Sequence, residues 1–210
     1  MLKSRFSKIL LFVVCLAPLF WLGWRAWNQD LTANPIEFIT HYTGDWTIRL
    51  IVTTLAVTPL RKLLGMPDLI RFRRMIGLFA FFYGSLHFLT WLCVDKFFNW
   101  PEMIKDVYKR PFITAGFTAF VMMVPLALTS TRGWIRRLGG KRWQRLHRLI
   151  YFTAAAGVIH YYWLVKSDIR LPLLYGTLVG VLLLWRIAAW FSARARSASS
   201  VRKRTETVLS

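Results

Sequence analysis

Five long stretches of this sequence carry no charged side chain, and they constrain the fold more than any other feature. They are residues 9–24, 75–94, 111–131, 149–165 and 171–185. A helix needs about 20 mostly apolar residues to cross the hydrocarbon core of a bilayer. The last stretch is short and is expected to continue past Arg186 to residue 191.

A sixth candidate span, residues 46–60, is interrupted by Arg49. We accept it because Arg49 lies near one end, where a long basic side chain can reach the interface. The sequence therefore predicts an all-α integral membrane protein, a six-transmembrane-helix bundle over residues 9–191.

Composition supports a membrane protein. Of the 210 residues, 56% are hydrophobic and only 18% are charged, whereas soluble domains have about 25% charged residues. The net charge is +20, yet no room remains for a soluble basic domain that would bind nucleic acid. Two cysteines, Cys15 and Cys93, are too few for a disulfide scaffold, and we assign both to packing.

The distribution of the charges predicts the orientation. With the N-terminus inside, most Lys and Arg residues lie on the inner side, where only two of the nine acidic residues, Asp68 and Glu206, are found. This bias is the positive-inside pattern and places both termini in the cytoplasm. Residues 1–8 form the cytoplasmic N-terminus, and the basic tail 192–210 is expected to be disordered on anionic lipid headgroups. The topology accounts for the +20, so no nucleic-acid partner is needed.

Two histidines occur at matching depths in spans that run in the same direction. His87 lies thirteen residues after Arg74, and His160 lies thirteen residues after His147. At 1.5 Å per residue, both lie about 20 Å from the inner ends of their spans. Two imidazoles at one depth could bind a haem iron from opposite sides. The alternative is that each histidine only forms a hydrogen bond with a neighbouring helix.

The inner ends of the same spans carry a third histidine and several arginines. On an ideal helix His147 would point about 140° away from His160, and the positions that match it on span 3 are Arg73 and Arg74. Arginine is rarely an iron ligand and would instead pair with a haem propionate or a flavin phosphate. One haem is therefore predicted, and a second remains open.

Several sequence motifs match a known family. They include HYTGDWTIRLIVTTLAVTPLRKLLG (41–65), IRFRRMIGLFAFFYGSLH (70–87) and LGGKRWQRLHRLIYFTAAAGVIHYYWLVKSD (138–168). In these the chain resembles the MsrQ family, the haem-binding membrane subunits of bacterial protein-methionine-sulfoxide reductase systems, within the ferric-reductase-like transmembrane superfamily. Larger members of that superfamily pair two histidines on span 3 with two on span 5, whereas this chain has arginine at the fourth position.

The resemblance implies a b-type haem, bound FMN and the bacterial inner membrane as the location. It implies electron transfer to a periplasmic molybdopterin-containing subunit that reduces methionine sulfoxide, with electrons supplied by the quinone pool or by a cytosolic flavin reductase. The candidate metal ligands are His87, His160 and His147. The candidate cofactor-binding residues are Arg73, Arg74, Arg142 and Arg145, whose positive charges would attract a flavin phosphate. The same charges could serve only to set the topology.

Two other functions stay open. One is a stand-alone transmembrane ferric or cupric reductase supplied by a separate flavin donor. The other is a haem-free transporter that uses its histidines to carry protons. No site that converts a substrate is evident, so an electron-transfer subunit of a larger oxidoreductase is the preferred interpretation.

Overall fold

The computed structural model describes residues 5–165 and 167–209, with side chains of the last helix described as far as residue 195. Within this part of the chain the structure is helical and contains no strand. A 3₁₀ turn, Pro67–Leu69, leads into the third helix, and a π-helical turn, Thr90–Asp95, follows it. The α-helices are α1 (Arg5–Trp27), α2 (Pro35–Leu63), α3 (Ile70–Leu89), α4 (Trp100–Lys109), α5 (Pro111–Leu128), α6 (Arg132–Leu138), α7 (Gly140–Leu146), α8 (Leu149–Leu164) and α9 (Arg170–Leu209).

An asparagine caps the start of two of the helices, with a proline in the first turn. The Asn34 side chain caps α2 by accepting a hydrogen bond from the Glu37 backbone N–H, and Pro35 follows it directly. Asn99 caps α4 in the same way, with the proline one residue further on. Both residue types are common at helix N-termini, because the cap satisfies a free N–H and proline has none to satisfy. The helix that contains the candidate span 46–60 therefore begins earlier than predicted and includes His41.

Four helices are long and apolar enough to cross a membrane: α1, α3 with its flanking turns, α5, and α9 over Arg170–Ala195. The two other predicted spans are also helical. However, α2 carries Asp45 and Arg49 within its length, and α8 has only 16 residues. Six spans thus remain a prediction, whereas the described residues show an all-helical fold with four helices that are long and apolar enough to cross a membrane.

The helices pack as two pairs, α2 with α3 and α5 with α8, while α9 lies against α2 and α8. Helix α1 is joined to α3 by Tyr83, whose side chain is fully buried. Its hydroxyl donates to the Cys15 carbonyl at 2.9 Å and accepts from the Leu19 N–H at 3.2 Å. The hydroxyl is thus inserted into the hydrogen-bond ladder of α1 beside Pro18, a recognised cause of helix kinks.

Arg49 is partly exposed and contacts side chains of α2 and α9. Its guanidinium donates to the Tyr175 hydroxyl of α9 at 3.2 Å and pairs with Asp45 at 3.4 Å. It also lies 5.0 Å from the Trp46 ring centroid. These contacts give the charge of Arg49 polar and negative partners in mid-helix, and its reach to the membrane interface stays a prediction.

A buried ion-pair cluster fixes the segment between α3 and α4. Lys96 Nζ lies 2.9 Å from Asp106 and 3.0 Å from Glu102, and Arg110 also pairs with Asp106 at 3.1 Å. The hydrogen bond to Asp106 raises the pKa of Lys96. The cluster ties the turn after α3 to α4, so the segment between the uncharged stretches 75–94 and 111–131 contains a structured helix.

Helix α9 extends further than the sequence predicts. Disorder was expected from residue 192, whereas the helix continues through Leu209. The physical reason is that no glycine or proline follows Gly180 to end it. Residues 1–4 and 210, which belong to the predicted cytoplasmic termini, lie outside the described residues.

Candidate functional site

The structure brings His87 of α3 and His160 of α8 together. Their ring centroids are 6.0 Å apart, and the ring planes are inclined at 76°. Two imidazoles that share one metal ion, each at about 2.0 Å from it, have ring centroids roughly 6 Å apart. The separation therefore matches a pair of ligands on opposite sides of one metal.

Each of the two rings is oriented by a backbone carbonyl of the adjacent helix. His87 Nδ1 donates to the Thr40 carbonyl of α2 at 2.8 Å, and His160 Nδ1 donates to the Phe112 carbonyl of α5 at 2.7 Å. A carbonyl only accepts, so Nδ1 carries the proton in both rings. This leaves Nε2 as the nitrogen with a lone pair, which is the usual arrangement of a metal-ligating histidine.

Each ring also lies against a glycine of that same adjacent helix. A Cβ on Gly44 would lie 3.1 Å from His87 Nδ1, and a Cβ on Gly116 would lie 2.6 Å from His160 Nδ1. In both helices the glycine comes four residues after the carbonyl that orients the ring. The same arrangement of an accepting carbonyl and a glycine therefore occurs twice, and each glycine leaves space for one imidazole.

The pair can hold a metal only if other ligands complete the coordination. Among the described residues no group of three or more His, Cys, Asp or Glu side chains is placed to bind a metal ion. Two axial imidazoles suit an iron whose four equatorial ligands come from a macrocycle. The residues present therefore fit a haem better than a metal ion bound by protein ligands alone.

His147 lies away from this pair, in the turn between α7 and α8. Because α8 begins at Leu149, the angle predicted for His147 on a continuous helix does not apply. Its Nδ1 donates to the Trp143 carbonyl at 3.1 Å, and the ring stacks on Trp143 with centroids 3.8 Å apart. Burial lowers the pKa of His147, and its Nε2 is buried and makes no hydrogen bond.

The four candidate arginines do not form one group. Arg73 is partly buried and lies within electrostatic range of His147. Arg74, Arg142 and Arg145 are exposed. The structure thus separates one interior arginine from three on the surface.

Comparison with known proteins supports the family assignment. Residues 43–158 match the model of the ferric reductase like transmembrane component; this match includes His87 and His147 and ends just before His160. The chain is 56% identical over 186 residues to the protein-methionine-sulfoxide reductase heme-binding subunit MsrQ of Herminiimonas arsenicoxydans, covering 87% of this chain and 85% of the relative. The chain belongs to the MsrQ family.

Further relatives carry the same name. Identity to MsrQ of Caulobacter vibrioides is 48%, covering 94% of this chain and 97% of the relative. Identity to MsrQ of Bordetella pertussis is 52%, covering 89% and 91%. No solved structure matches the chain. Membership in the MsrQ family and the four apolar helices together establish an integral membrane protein.

Sequence reasoning missed several residues that shape the sites of this MsrQ-family chain. Gly44 and Gly116, with the carbonyls of Thr40 and Phe112, were not identified. Each glycine lies on a neighbouring helix, four residues after the carbonyl that contacts the histidine. This spacing cannot be recognised in the sequence before the packing of the helices is known. Arg61 and Arg186 were counted only as topology charges, although the Nε atoms of both are buried.

Proposed function

We propose that this chain is a membrane b-type cytochrome of the bacterial inner membrane. It passes electrons from the quinone pool or a cytosolic flavin reductase to a periplasmic molybdopterin-containing methionine sulfoxide reductase, which repairs oxidised periplasmic proteins. The relatives are named as haem-binding subunits of a protein-methionine-sulfoxide reductase, and this supports the proposal.

The observation that carries the proposal is the paired geometry of His87 and His160. Both rings present Nε2 because Nδ1 is bonded to a carbonyl, and their centroids are 6.0 Å apart. A haem held there would supply one-electron transfer at its iron. His87 and His160 would hold the iron, and two imidazole ligands would favour electron transfer over oxygen binding.

The residues of the chain perform three tasks in this function. The carbonyls of Thr40 and Phe112 hold the rings in one tautomer and orientation, so little rearrangement accompanies a change of charge at the metal. Gly44 and Gly116 give the rings room. The surrounding apolar helices exclude water, which strengthens the effect of each hydrogen bond on the ligands.

The remaining parts of the proposal concern topology and the donor side. Six spans with both termini in the cytoplasm would place the inner ends of α2, α3 and α8 toward the donor. There Arg73, Arg74, Arg142 and Arg145 would attract the phosphate of FMN. His147, with its free Nε2, would be the protein ligand of a second haem.

Absorption spectroscopy of the purified protein tests the haem site. We expect a sharp reduced α band of b type, and a pyridine haemochrome assay gives the number of haems per chain. His87→Ala and His160→Ala should each abolish this low-spin haem, whereas His41→Ala, an exposed histidine of α2, should retain it. Retention of the full low-spin spectrum in both site variants would refute the ligand assignment.

A stand-alone metal reductase is the second candidate, and the description of the matching family model favours it. Reduction of ferric chelates by the reduced, purified protein distinguishes the two functions. Fast reduction that is unaffected by the molybdoenzyme would support the metal reductase. Electron transfer only when the molybdoenzyme is present would support the proposed function.

A further inference from the structure

Arginine side chains from three helices converge where α2 ends and α3 begins. Arg73 of α3 lies within electrostatic range of Arg61 of α2 and Arg186 of α9. The Arg186 guanidinium donates to the Tyr151 hydroxyl at 3.1 Å and to the Leu55 carbonyl at 2.9 Å. These contacts fix one guanidinium firmly among the helices.

Among the side chains that the structure describes, this cluster has no negative partner. The Nε atoms of Arg61 and Arg186 are buried and have no hydrogen-bond partner. None of the ion pairs among the described residues includes an arginine of this cluster, and no carboxylate is among the groups that act on Arg73. Buried donors without partners are rare, and repulsion between three cations adds to their cost. Such an arrangement is typical of a site that an anion completes.

The number of charges indicates which anion. A carboxylate has one negative charge and two oxygens, and one arginine fork satisfies it. A phosphate group offers more acceptor oxygens than a carboxylate. A monoester such as FMN carries close to two negative charges, whereas the diester of a phospholipid carries one. Three guanidinium groups match the phosphate better than the carboxylate.

We propose that Arg61, Arg73 and Arg186 form a phosphate-binding site at this end of the bundle. The phosphate could belong to a flavin mononucleotide or to the headgroup of a phospholipid. This inference rests on the proposed electron-transfer function only where it names a flavin as one source of the phosphate. It differs from the arginines predicted from the sequence, because only Arg73 is common to both sets.

Two ligand arms distinguish the sources in protein purified in a maltoside detergent. The first arm titrates FMN, and separately riboflavin, which lacks the phosphate, by quenching of flavin fluorescence. The second arm measures co-purified phosphatidylglycerol by native mass spectrometry. Each arm compares wild type, Arg61→Gln and the control Arg136→Gln, which removes the same charge at an exposed position of α6.

Arg61→Gln is the preferred variant because its Nε donates to no protein atom, so the fold loses no hydrogen bond there. Arg186→Lys provides a second test, because lysine keeps the positive charge but lacks the planar guanidinium that can donate two parallel hydrogen bonds. We expect the variants at both positions to weaken binding about tenfold or more, as loss of a charge-assisted hydrogen bond does.

If FMN is the source, FMN binds more tightly than riboflavin. Arg61→Gln removes this difference, whereas Arg136→Gln keeps it. If a lipid is the source, Arg61→Gln alone loses phosphatidylglycerol. The proposal is overturned if Arg61→Gln matches Arg136→Gln in both arms, or if it loses haem while phosphate binding stays intact. The haem spectrum of wild type reports on the proposed function separately, so a colourless protein would refute that function and not this site.

Discussion

Gly116 allows a sharp test of how the fold positions His160. A Cβ at residue 116 would lie 2.6 Å from His160 Nδ1 and 2.9 Å from Cε1. The imidazole would have to move, and its 2.7 Å hydrogen bond to the Phe112 carbonyl would be lost or lengthened. Gly116→Ala therefore perturbs the imidazole of His160, the proposed ligand, without replacing His160 itself.

The magnitude follows from three opposing effects. Alanine in place of glycine favours a helix by about 1 kcal/mol. Overpacking costs about 1–3 kcal/mol, and loss of the hydrogen bond costs about 0.5–1.5 kcal/mol. We expect a net loss of about 1–3 kcal/mol for Gly116→Ala. Gly44→Ala, whose Cβ would meet His87 at 3.1 Å, should be nearly neutral.

Gly180 is the matched control, because a Cβ there would meet nothing within 4 Å. Thermal melting in detergent should rank Gly180→Ala at or above wild type and Gly116→Ala below it. The absorption spectrum should show less low-spin haem in Gly116→Ala alone.

A double-mutant cycle isolates the contact between the two residues. In the His160→Ala background the imidazole is absent, so Gly116→Ala should no longer destabilise the protein. Equal melting temperatures and spectra for Gly116→Ala and Gly180→Ala, or an unchanged cost of Gly116→Ala without the imidazole, would refute the argument.

Two further predictions concern stability. Tyr83→Phe removes a buried hydroxyl bonded to the Cys15 carbonyl and should cost about 1–3 kcal/mol, seen as a lower melting temperature, whereas the exposed Tyr108→Phe should change nothing. The hydrogen bond to Asp106 raises the pKa of Lys96 above its ordinary value of 10.5. The stabilisation of α4 by the Lys96–Asp106 ion pair is therefore fully present below pH 10.5. It should be lost as pH rises through the raised pKa, measured as faster proteolysis of α4, and Lys96→Met should abolish the pH dependence.

Much of the fold could be predicted from the sequence. Uncharged stretches become helices because a bilayer leaves the backbone no partner except itself, and structure and prediction agree on where these helices lie. The start of α2 was predicted too late and α4 was not predicted, because the asparagine caps of these helices lie inside segments that resemble loops. The predicted direction of His147 also failed. It assumed a continuous helix through His147, whereas α8 begins two residues later, at Leu149.

The site divides in the same way. The sequence alone determined that His87 and His160 lie at one depth, because the rise per residue of a helix is constant and depends on no other contact. Only the tertiary structure decided that Thr40 and Phe112 orient their rings, and that Arg61 and Arg186 both lie within electrostatic range of Arg73. Such contacts join residues far apart in the chain, and they arise from the packing of helices, which a local pattern of residues does not encode.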